Sequence, residues 1–159
     1  MRSVALVLST ITTLLVLTFA TAAPAAEAAG PRIDRGERAV IRAINRARAA
    51  HGLRALRADR RLGRAANAHT RSMLRSNFFS HGAFSTRLRR YTHARRIGET
   101  IATTSRCSAS TVVRMWLNSP PHRAVLLSGK FRRIGIGRRR GSLGTGRACV
   151  VTADFASRR

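Results

Sequence analysis

The stretch FRRIGIGRRRGSLGTGRACVVTADF, Phe131 to Phe155, decides the fold class because it departs from the helical period of the segments before it. Its two ends, Phe131 to Arg138 and Ala148 to Phe155, read as strands, and Gly141, Gly144 and Gly146 lie between them. Glycine supplies the backbone freedom a tight connection needs, so the stretch predicts an antiparallel hairpin. Helices first and a hairpin last give an α+β chain, with helices packed on a small antiparallel sheet.

Upstream, Val40, Ile44, Ala47 and His51 recur at helical spacing, with Arg38, Arg42 and Arg46 on the other side, and Gly52 ends the run. Asp59 is a good N-cap for a second helix reaching about Ser76. Leu62, Ala65, Ala66, His69 and Met73 share its apolar face, opposite Arg60, Arg64, Arg71 and Arg75. His69 therefore reads as a hydrogen-bonded core histidine rather than a ligand. Residues 77–97 follow neither period for long and predict a loop with a short helix near Ser85 to Arg90. A third substantial helix starts at Ser108 or Ser110, buries Val112, Val113, Trp116 and Leu117, and is expected to stop at Asn118-Ser119-Pro120-Pro121.

The N-terminus has the form of an export signal. Arg2 precedes the apolar run Val4 to Ala20, and both Ala20-Thr21-Ala22 and Ala26-Glu27-Ala28 fit small-x-small cleavage sites. We assign residues 1–28 to a signal peptide and Ala-rich processing region, and 34–157 to one domain; an uncleaved anchor is the alternative reading. The expected location is secreted and extracellular, with no transmembrane segment after processing. Cys107 and Cys149, 42 residues apart, are the only cysteines and are expected to pair in an oxidising compartment. Two buried thiols are the other possibility, whereas a metal site normally asks for about four closely spaced ligands.

The net charge is +25, and almost all of the positive charge is arginine. Anionic cell-wall polymers or lipid become possible partners by charge, through an attraction that salt weakens. The arginines fall in scattered pairs and triplets, a pattern that also fits a plain solvated surface, and no specific nucleic-acid partner is expected.

No nucleophile elbow, zincin motif, phosphate-binding loop or dinucleotide fingerprint occurs. Three short pieces stand out: Ser80-His81-Gly82, Gly98-Glu99-Thr100 and Pro121-His122-Arg123. Two imidazoles and a carboxylate suit a divalent metal, or a base with its orienting partner, although these separations match no local ligand motif.

The order of segments is more specific. INRARAAHGLRALRADRRLGRAANAHTRSM, FFSHG, IGETIA, MWLNSPPHRAVLL, FRRIGIG and VVTADFA together resemble the CAP superfamily in its compact bacterial form. This is the group of cysteine-rich secretory proteins, antigen 5 and plant pathogenesis-related 1 proteins. The resemblance implies an α-β-α sandwich with a surface cleft. It places His81 and His122 at the cleft histidines and Gly98-Glu99-Thr100 at the Gly-Glu-Asn motif. The paired prolines would then hold His122 where the third helix meets the sheet. Thr100 and Val125 stand where the bacterial pattern commonly has asparagine, and the second cleft glutamate of larger members has no evident counterpart. Trp116 reads as a core anchor, and Asp154 has no assigned role.

The expected function is binding, with His81, Glu99 and His122 as a site for a small ligand or a divalent metal, zinc first. A metal-dependent hydrolase or peptidase is the alternative, as is retention on anionic polymers or membranes by charge alone. Glu99 cannot be both a metal ligand and a free base, and resemblance in fold does not settle activity.

Overall fold

The computed structural model describes residues 33–158, so the predicted export segment lies outside the described residues. The chain runs α1 (Arg35–Ala49), β1 (Arg57–Ala58), α2 (Arg60–Arg75), α3 (Phe84–Arg89), β2 (Ile97–Thr104), α4 (Ala109–Asn118), α5 (Pro120–Leu126), β3 (Arg133–Leu143) and β4 (Gly146–Ala156). The sheet order is β1-β3-β4-β2. β3 and β4 form the expected hairpin, β2 pairs antiparallel with β4, and the two-residue β1 adds a parallel pairing to β3.

Strand alternation divides the core in two. Val151, Ala153 and Phe155 of β4, with Ile134 and Ile136 of β3, face Val40 and Ile44 of α1, Val112 and Trp116 of α4, and Leu126 of α5. On the opposite face Ala156 meets Leu62 of α2, while Ile101 and Val150 meet Met73. The result is the α-β-α sandwich, with α2 alone responsible for most of the cover on its side.

Glycine lets α2 sit close to the sheet. A Cβ on Gly135 would lie 2.1 Å from the Gly63 nitrogen, and one on Gly137 would lie 2.4 Å from the Ala66 carbonyl carbon. Thr70 of α2 also hydrogen-bonds Thr152 of β4 in the buried interface, at 2.9 Å. Asp34 and Glu37 close a capping box at the start of α1, and Asp59 accepts from Arg61 and Leu62 at the start of α2. Cys107 and Cys149 are joined in a disulfide that ties the approach to α4 to the last strand.

Two segments differ from the sequence reading. Ser119-Pro120-Pro121 does end α4, but it starts another helix rather than leading to the sheet. Ser119 occupies the N-cap of α5, with the prolines in its first turn, where a missing N–H costs nothing. Residues 97–104 form a strand that the sequence pattern concealed, because its middle is buried on both faces and mixes Gly, Glu and Thr.

Candidate functional site

β2 is an edge strand, and the candidate cleft forms beside it. His81 lies in the turn between α2 and α3, where Gly82 adopts φ +52°. His69, buried on α2, donates from Nε2 to the Ser80 carbonyl at 2.9 Å, and Arg87 of α3 donates from Nη1 to the His81 carbonyl at 3.2 Å. The core histidine thus holds the backbone beside the cleft histidine. Burial, and then the Arg87 charge, lower the His69 pKa, which favours the neutral ring.

Glu99 projects from β2 with its side chain 0% exposed. One oxygen accepts from His81 Nδ1 at 2.8 Å, and the other pairs with Arg87 Nη2. Such a bond fixes the His81 tautomer: with the proton on Nδ1, a neutral ring carries its lone pair on Nε2. His122, in the first turn of α5, has Nδ1 at 2.9 Å from Ser119 Oγ. Burial lowers its pKa, and the neighbouring His81 lowers it further. The His81 and His122 ring centroids are 6.3 Å apart, and neither Nε2 has a hydrogen-bond partner among the described residues. The two rings share an open depression of about 480 Å³ with Phe79, Ser80, Gly82 and Ile101. Larger depressions occur elsewhere, so the cleft is distinguished by its chemistry rather than by size.

The structure therefore brings His81, Glu99 and His122 to one place, but in unequal roles. Glu99 is buried behind His81 with both oxygens engaged, while the imidazoles face the depression. Among the described residues no group of three or more His, Cys, Asp or Glu side chains is arranged to hold a metal ion. Two imidazoles could still supply part of a coordination shell, with water or ligand atoms completing it.

Sequence reasoning missed two members. Arg87 was one cation among many, with nothing local to single it out. Asp154 stands opposite Glu99 in the β2–β4 register and is fully buried, with no hydrogen bond to either carboxyl oxygen among the described residues. Burial, followed by the Glu99 charge, raises its pKa well above the ordinary 3.8, with Arg87 opposing. We attribute the Glu99 influence to charge across the strand pair, since the contact does not meet hydrogen-bond geometry. Of the two positions that depart from the bacterial pattern, Thr100 is buried with Oγ1 unpartnered among the described residues, and Val125 is half-buried on α5. Trp116 is a core residue whose indole N–H donates to the Ile101 carbonyl at 2.9 Å, on the unpaired side of the edge strand.

This helix–sheet–helix arrangement defines the class of the protein. Residues 41–155 match the CAP family, described as the cysteine-rich secretory protein family, and the chain belongs to that family. It is similar to an extracellular SCP-domain protein from Bacillus anthracis, with a TM-score of 0.65 and 26% identity over 77% of this chain. An outer surface protein from Borrelia burgdorferi shares the fold at a TM-score of 0.66 and 21% identity, covering 81% of this chain and 97% of that one. A cysteine-rich secretory protein from Staphylococcus aureus gives 0.62 and 18%, over 77% of this chain. The chain spans only 40% of the Bacillus protein and 38% of the Staphylococcus protein. No curated protein matches it in sequence.

Proposed function

We propose that this is an exported binding protein in which His81 and His122 present two imidazole nitrogens to a small ligand or a divalent cation. The observation that carries the reading is the pair of rings 6.3 Å apart with no protein partner at either Nε2 among the described residues. Glu99 serves as the partner that orients His81, the arrangement commonly found behind metal-bound histidines. Extracellular and outer-surface relatives, together with the leader-like residues 1–28, support export.

The same geometry favours binding over the hydrolase alternative. A hydrolase of the kind considered needs a carboxylate with an oxygen available to take a proton. The Glu99 side chain is fully buried, and its oxygens are turned to His81 and Arg87 rather than to the depression.

Calorimetric titration of the purified domain with zinc tests the reading. One site is expected, weakened by His81→Ala and by His122→Ala, with a smaller loss for Glu99→Gln. Affinity should fall once pH drops below the usual histidine range, because burial holds the His122 pKa down and the ring must be neutral to ligate. Equal zinc binding by the parent and both histidine variants would sink the cation form of the proposal.

A further inference from the structure

The cationic surface is less uniform than the sequence suggests. Three depressions of about 560, 430 and 430 Å³ adjoin through shared residues. Arg54, Arg132 and Arg158 are common to the first two, and Arg95, Arg96 and Lys130 link the second to the third. The depressions are shallow and open, and the groove they trace on the surface runs from β1, past the start of β3, to Val125 on α5, one helical turn beyond His122.

Six of its cations, Arg54, Arg57, Arg95, Arg96, Lys130 and Arg158, are exposed, and their side chains make no ion pair among the described residues. The acidic residues of the domain are committed elsewhere. Asp34 and Glu37 cap α1, Glu99 is held by His81 and Arg87, and Asp154 is buried behind it. Asp59, the one carboxylate lining the groove, is taken by Arg133 at 2.7 Å. Below the surface Arg48 is fully buried without a carboxylate. It donates to the carbonyls of Leu126 at 2.6 Å and Ser128 at 3.0 Å, and its Nη2 has no partner among the described residues. That side chain fixes the loop leading to Lys130 and adds another uncompensated positive charge near the groove.

We infer that this groove is a second binding site, for a linear, hydrophilic polyanion carrying phosphate groups along its chain. Guanidinium forks match phosphate oxygens, and a row of them in a groove suits an extended chain better than a single small anion. A membrane surface fits less well, because interfacial binding draws on exposed apolar side chains. The large exposed hydrophobics, Phe79 and Met115, line none of the three depressions. Single-stranded nucleic acid would want exposed aromatic platforms. Phe131 is the only aromatic lining the groove, and it is buried.

The inference is independent of the imidazole cleft. Its test uses short linear inorganic polyphosphate as the titrant. Arg54→Gln/Arg96→Gln/Lys130→Gln should weaken binding by about tenfold or more and reduce the slope of log affinity against log salt by about two. Arg42→Gln/Arg46→Gln/Arg114→Gln removes as many exposed charges outside the groove and should cost less than about threefold. All six positions are exposed, so matching thermal melts establish that both variants fold. Equal losses in the two triple variants would reduce the groove to general charge and overturn the inference. So would a phosphatidylglycerol vesicle or an oligothymidylate of matched charge that displaces polyphosphate more strongly than unlabelled polyphosphate does. His81→Ala and His122→Ala should leave polyphosphate binding unchanged, which separates failure of this site from failure of the cleft.

Discussion

Asp154 faces Glu99 directly across the β4–β2 pairing, and both carboxyl groups are buried. Two carboxylates in one dry site disfavour each other's ionisation. Glu99 is bonded by His81 and Arg87, whereas Asp154 has no bonded partner among the described residues, and burial beside Glu99 raises its pKa well above the ordinary 3.8.

Asp154→Asn should therefore be tolerated. A carboxyl whose pKa is raised on folding contributes stability that is full below the unfolded value, near 3.8, and is lost as pH rises toward its folded pKa. The asparagine variant lacks that loss, so its melting temperature relative to the parent should climb as pH is raised from about 4. Thermal melts across pH check this. A large drop in melting temperature for the variant at neutral pH would show that Asp154 is charged and bonded.

His69 gives the opposite sign. Its pKa is lowered on folding, so its contribution is full above about 6.5 and is lost as pH falls toward the folded value. His69→Ala should lower the melting temperature and flatten its pH dependence below about 6.5, with no selective loss of zinc binding beyond the loss of folded protein. An unchanged melt would contradict its assignment to the core.

Much of this arrangement is legible in the sequence. Apolar periodicity marks α1, α2 and α4, Asp59 announces its cap, and the glycines between Arg140 and Arg147 mark the hairpin turn. The ordered motifs point to His81, Glu99 and His122. What stays hidden depends on contacts between distant segments. β2 alternates poorly because both its faces are covered. Arg87 matters only once α3 folds over Glu99, and although Arg48 falls one turn beyond Ile44 on the apolar side of α1, the Leu126 and Ser128 carbonyls that receive it come from a distant loop.

The close seat of α2 makes a steric prediction. Gly137→Ala would place a methyl group 2.4 Å from the Ala66 backbone, and neither helix nor strand backbone can yield as a side-chain tip would. Overpacking of this kind costs roughly 1–3 kcal/mol or more, measurable by chemical denaturation. A variant as stable as the parent would mean that α2 does not sit so close to β3.

Removing the disulfide should be felt throughout the domain. Closing a loop of 42 residues is worth roughly 3 to 4 kcal/mol in the chain-entropy model, so Cys107→Ser/Cys149→Ser should show a loss of that order. Alkylation of the purified, unreduced protein followed by intact mass gives an independent check. Two modified thiols would show that the bond is not present.

The proposed function requires His81 and His122 to act together through Nε2, with Glu99 holding the first ring in place. Imidazole nitrogen-15 spectra of the labelled domain during a zinc titration address it most directly. His81 should begin with its proton on Nδ1, and the Nε2 signals of His81 and His122 should shift together and saturate at one equivalent of zinc. Zinc-induced shifts confined to the exposed His51 and His93, which lie outside the depression, or unchanged signals from both cleft rings, would overturn it.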